Sequence, residues 1–142
     1  MISLQSWQFF SLLSALFAAM TAIFGKIGVS EVNSNLATFI RIIVILAFTS
    51  VTVLLRGEFK DWSLLTSRGV LFLVLSCLAT GASWLCYYHA LKIGNASQVA
   101  PVDKLSVVMV ILFAFLFLGE TPTLKVILGA LLILSGSLVI IL

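Results

Sequence analysis

The sequence predicts an all-helical integral membrane protein with five transmembrane helices, on three observations. Of its 142 residues, 62% are hydrophobic and only 9% are charged, and the mean hydropathy is +1.27. A soluble domain carries about a quarter charged residues, so no soluble fold could cover this much apolar surface. The apolar residues fall into five runs of the ~20 residues that a helix needs to cross a bilayer. The connections between the runs are short, which leaves a single domain over residues 1–142 and no room for a soluble one.

The first run, residues 7–27, ends at Gly28. The first twenty residues lack the basic segment and small-residue cleavage site of a signal peptide, so the stretch from Met1 to Ile27 is expected to be a retained first span. The second run, residues 35–55, stops at Arg56 and Gly57. "EFKDWSLL" follows and is expected to lie along the membrane interface, with Trp62 in an aromatic belt. The third run, residues 69–91, lies between Arg68 and Lys92. The fourth, residues 97–118, is expected to end at Gly119 acting as a left-handed cap. The fifth, residues 122–142, is expected to start with Thr121 as N-cap and Pro122 at the first helical position.

Orientation follows from Lys and Arg in the connections. The N-terminal side holds Arg56, Lys60, Arg68 and Lys125, against Lys26 and Lys92 on the other. Four against two favours a cytoplasmic N-terminus. So small a bias leaves room for insertion in both orientations.

Several function classes drop out. A net charge of +3, scattered along the chain, gives no nucleic-acid footprint. Cys77 and Cys86 lie nine residues apart on one helix, about 13 Å, too far for a disulfide, and read as packing residues. There is no metal-ligand spacing, phosphate loop or nucleophile–base pair, so neither an enzyme nor a bound cofactor is expected.

The informative feature is where charge enters the membrane. Arg41 lies six residues past Asn35, and Asp103 six past Ser97. Both are about 9 Å deep from the same side. Lys26 and His89 sit near the same ends of the first and third runs. Two readings stay open. In one, Asp103 pairs with Arg41 or Lys104, Lys26 snorkels, and the group only orders the helices. In the other, these residues line a water-accessible cavity, because ionisable groups within spans usually mark a pathway. Lys26, Arg41 and Lys104 outnumber Asp103, and excess positive charge attracts anions. That favours a substrate carrying a carboxylate or phosphate.

Pro101 removes a backbone donor two residues before Asp103, which suggests either a local opening of the helix or a packing kink. Trp84 and Tyr88, four apart, share a helix face with Tyr87. They serve core packing or a cavity wall, and as a wall they would suit cations. Small residues mark close helix contacts: Ser14, Ala18 and Ala22, then Cys77 and Gly81, then Gly129 and Gly136. The last helix is the candidate for contact between subunits.

"ASQVAPVDKLSVVMVILFAFLFLGETPT" (residues 96–123) resembles the fourth-helix segment of EamA-domain proteins in the drug/metabolite transporter superfamily. "LATGASWLCYYHALKIGNAS" resembles the segment before it, and "AIFGKIGV" and "NSNLATFIRIIV" resemble the first two helices. The Pro101 and "LGE" pair is general to the superfamily, whereas "PVDKLS" points to its single-copy, five-helix bacterial and archaeal group. Larger relatives carry ten helices as two inverted halves. The resemblance therefore implies one half of such a transporter, completed as an antiparallel homodimer, with the substrate path between subunits. The expected function is secondary transport, export or exchange, of a small polar or charged metabolite across the cell membrane, possible coupling to protons included. The expected site is Arg41, Asp103, Lys104, Lys26, Trp84, Tyr88, His89 and Pro101. The alternative is a non-transporting accessory subunit whose charges only order helices.

Overall fold

In the computed structural model, which describes residues 6–142, the chain is helical almost throughout. The helices are α1 (Ser6–Glu31), α2 (Ser34–Arg56), α3 (Ser67–Ile93), α4 (Ala96–Asp103), α5 (Leu105–Phe113) and α6 (Leu124–Ile141). A 3-10 segment, Glu58–Leu64, joins α2 to α3, and a π-helical turn, Ala114–Leu118, continues α5. Among the described residues, five helices are long and apolar enough to cross a membrane, the fourth being α4, α5 and the π turn together. Met1 to Gln5, the start of the expected retained span, lie outside the described residues.

The helix ends follow local chemistry. Asn33 caps α2, its side-chain oxygen accepting from Asn35 N–H at 2.9 Å, which satisfies one free donor of the first turn. Gly57 ends α2 at φ 66°, and Gly119 ends the π turn at φ 68°. These are the two left-handed positions among the described residues, and glycine takes that conformation without a Cβ clash. Both stops are legible in the sequence.

Three expectations need correction. α1 does not stop at Gly28 but runs on to Glu31: Gly28 does not take the left-handed conformation with which a glycine ends a helix. α6 does not start at Pro122: its N-cap is Thr123 and its first residue Leu124. Once Gly119 has turned left-handed, residues 120–123 run outside any helix, so Pro122 falls in the connection. Cys77 and Cys86 are free thiols on exposed surface rather than buried packing residues.

The chain divides into two units. One comprises Ile23–Lys92: the end of α1, α2, the 3-10 segment and most of α3. Its buried side chains are Val29, Ser34, Ala37, Thr38, Tyr88 and Leu91, gathered toward the C-terminal ends of α1 and α3 and the start of α2. The other unit takes in residues up to Ala22 and from Ile93 onward. There α6 packs against α4 and α5. Large apolar residues along every span, Phe17, Phe48, Phe72, Phe117 and Leu132 among them, stay more than half exposed. In water that would be unstable; in hydrocarbon it costs nothing.

Candidate functional site

Within Ile23–Lys92, three helices converge on Tyr88. Gly25 of α1 meets the Tyr88 ring so closely that a Cβ there would stand 2.7 Å from Cε1 and 3.2 Å from the hydroxyl. The ring is 1% exposed. From α2, the Arg41 guanidinium carbon lies 4.5 Å from the centroid of Tyr88 and 5.5 Å from that of Trp84. Residues four apart on α3 thus hold one cation between two aromatic rings. Tyr87 adds an edge-on contact to Tyr88 at 5.5 Å.

This arrangement leaves polar atoms unsatisfied. Arg41 Nε and the Tyr88 hydroxyl are enclosed, and neither finds a hydrogen-bond partner among the described residues. Each such buried donor costs about 1–3 kcal/mol. The Arg41 charge adds about 2.5–3.5 kcal/mol or more at membrane depth. Two cation–π contacts return about 0.5–2 kcal/mol each. Among the described residues of this unit no carboxylate pairs with Arg41: the ion pair there is Arg56 with Glu58, at 3.7 Å. Arg41 is therefore held but not neutralised. Its side chain stays half-buried.

The lysines of the same unit have a different task. Lys26 Nζ donates to the Leu91 carbonyl at 2.6 Å, and Lys92 Nζ donates to the Val32 carbonyl at 2.7 Å. α1 and α3 thus exchange lysines at their C-terminal ends, where carbonyls lack helical donors and the dipole favours positive charge. His89 is exposed.

In the other unit the fourth span is broken. Pro101 gives no N–H to the Ser97 carbonyl. The helix tightens at Lys104, whose N–H donates to the Pro101 carbonyl at 3.1 Å, while Val107 N–H donates to the Lys104 carbonyl at 3.0 Å. The Pro101 carbonyl also accepts the Ser137 hydroxyl of α6 at 3.0 Å, and Ser137 is 3% exposed. The Pro101 carbonyl thus has two donors, one of them on a neighbouring helix. Asp103 and Lys104 stand at the break, 3.5 Å apart, both partly open. At the far end, Gly119 and Glu120 N–H both turn back to the Ala114 carbonyl.

The structure thus brings Arg41, Trp84 and Tyr88 together, with Lys26 and His89 on the same unit. It brings Pro101, Asp103 and Lys104 together on the other. Gly25 and Ser137 escape the sequence reading. Gly25 lies three residues past Ala22, on the face of the small-residue row. Ser137 is a polar residue inside an apolar run. Both signals were present, but neither names its partner.

A family model described as the EamA-like transporter family matches residues 5–142. A protein of Sinorhizobium sp. named an uncharacterized transporter in the cobO 3' region is 53% identical over 136 residues, 96% of each chain. No solved structure matches. Five membrane-crossing helices, a polar break within the fourth and a match along almost the whole chain lead to one conclusion: this multi-pass membrane protein belongs to the EamA-like transporter family.

Proposed function

We propose that the protein is a secondary transporter, an exporter or exchanger of a small polar or charged metabolite in the cell membrane, and that it works as a homodimer with the substrate path between subunits. The observation that carries this reading is the break at Pro101–Lys104. It sets a charged pair at a one-residue tightening of the helix, with Lys104 at φ −70°, ψ −6°, inside a span. Irregular backbone at membrane depth is tolerated where it is buried in protein or lines a cavity, and discontinuous helices form the binding sites of many secondary transporters. The relative's name, a transporter, supports the class and says nothing of cargo.

The dimer reading draws on the last helix. Gly129 and Gly136 of α6 have open space where a Cβ would sit, so a second helix could approach the backbone closely. Arg41 and Asp103 belong to different units, and no pairing between them is part of this proposal. The accessory-subunit alternative has its own support, since Lys26 and Lys92 are spent on helix ends and Asp103 stands beside Lys104.

Comparing metabolite levels inside and outside cells with and without the gene tests the reading. A transporter shifts a defined set of compounds across the membrane, and Asp103→Asn abolishes the shift without loss of protein. Unchanged distribution of every compound, with instead a membrane enzyme losing activity, would establish the accessory role.

A further inference from the structure

We propose that Arg41, held between Tyr88 and Trp84, anchors a carboxylate or phosphate group of the transported molecule; the assignment rests on the transporter reading above. Arginine keeps its charge in any protein environment. Here the charge lies within a span, touches two aromatic faces and meets no carboxylate among the described residues of its unit. The enclosed nitrogen is Nε. The side chain as a whole remains half-buried, so the open end of the fork is the pair of terminal nitrogens. That end presents parallel N–H groups to a planar or tetrahedral oxyanion, the geometry in which arginine binds carboxylate and phosphate bidentately.

The rings settle which sign of ligand fits. Trp84 and Tyr88 on their own would suit a cationic substrate. Their faces are already engaged by Arg41, so they act as walls that fix the guanidinium. A second cation would meet a fixed positive charge at short range. The site also needs no help from the other basic residues. Lys26 is bound to the Leu91 carbonyl and Lys104 stands beside Asp103, so Arg41 is the residue assigned the direct contact with the anion. Gly25 is the residue that lets the Tyr88 wall stand where it does.

Footprinting of the full-length protein in phosphatidylcholine nanodiscs tests the assignment. Phenylglyoxal modifies accessible arginines, and mass spectrometry reads Arg41, Arg56 and Arg68 separately, the last two serving as internal controls. Succinate and methylphosphonate should protect Arg41 saturably and leave both controls unprotected; tetramethylammonium should not protect it. Protection by tetramethylammonium instead of the acids would overturn the proposal. So would an Arg41 unreactive without any probe, because the fork would then be closed. Protection that appears in phosphatidylglycerol discs regardless of added acid would give the site to a lipid headgroup and overturn it too.

A variant gives the second arm. Arg41→Lys keeps the charge and loses the fork. With Trp7→Phe and Trp62→Phe leaving Trp84 as reporter, its fluorescence response to succinate should need about ten- to a hundredfold more acid than with Arg41. An unchanged midpoint would refute the fork; if the variant does not fold, the footprint of the native protein still decides. Protection without any solute flux would leave the anion site standing and remove the transporter reading. Flux of uncharged or cationic solutes without protection would do the reverse.

Discussion

Replacing Gly25 with alanine should lower stability, and the sign should reverse when Tyr88 is made smaller. The added Cβ would stand 2.7 Å from Tyr88 Cε1, well inside the 3.5–4.0 Å at which carbon atoms rest. The ring cannot step aside into open space, because it is 1% exposed and Arg41 lies 4.5 Å from its centroid. Overpacking of this kind costs about 1–3 kcal/mol. Alanine's better helix propensity offsets about 1 kcal/mol of it. The net effect in the native background is a loss of about 1 kcal/mol. In a Tyr88→Leu background the obstructing ring edge is gone and the propensity gain remains, so Gly25→Ala should stabilise by about 1 kcal/mol. The difference between backgrounds is the coupling, which a double-mutant cycle isolates. Unfolding in mixed dodecylmaltoside–SDS micelles, followed by circular dichroism, measures all four proteins. An equal effect of Gly25→Ala in both backgrounds would refute the close approach of α1 to the Tyr88 ring.

Tyr88→Phe removes an enclosed hydroxyl that has no partner among the described residues, so thermal unfolding in detergent should show a stability gain of about 1 kcal/mol; a loss of that size would mean the hydroxyl is bonded. Ser137→Ala takes one of two donors from the Pro101 carbonyl and should cost about 0.5–1.5 kcal/mol in the same assay, with amide exchange rising near Lys104. Lys92→Met removes the donor to the Val32 carbonyl and should cost about 1–2 kcal/mol, whereas Lys60→Met, in the exposed 3-10 segment, should be silent. Reporter fusions at the C-terminus should show both membrane orientations if the dimer is antiparallel, and one orientation in every molecule would exclude that version.

How much of this was legible in the sequence depends on the range of the interaction. Span count and the stops at Gly57 and Gly119 are local: twenty apolar residues and a glycine carry them. Thr121–Pro122 matches a cap signature, yet α6 starts at Leu124, because residues 120–123 run outside any helix after the Gly119 turn. The break in the fourth span was visible as a missing N–H at Pro101. The second donor to the Pro101 carbonyl, Ser137, was not, since it lies thirty-six residues away. The membrane charges were found by depth alone. Depth grouped Lys26 with Arg41, whereas their roles are set by what each touches, a helix-end carbonyl for one and two aromatic rings for the other. Trp84 and Tyr88 stood out as an aromatic face. That Arg41 already occupies that face is a tertiary fact no spacing along α3 could supply.

Solute flux in proteoliposomes tests the central claim most directly: that this chain moves an acid-bearing small molecule by way of Arg41. Purified protein in phosphatidylcholine vesicles is loaded with a mixture of labelled carboxylates and phosphates drawn from a cell extract, and external appearance is followed by mass spectrometry against protein-free vesicles. The account predicts saturable, protein-dependent release of at least one acid, inhibited by related acids and not by tetramethylammonium, and lost in Arg41→Gln protein that still folds. Release of acids that persists unchanged in Arg41→Gln, or vesicles whose contents leave no faster with protein than without it, would contradict it.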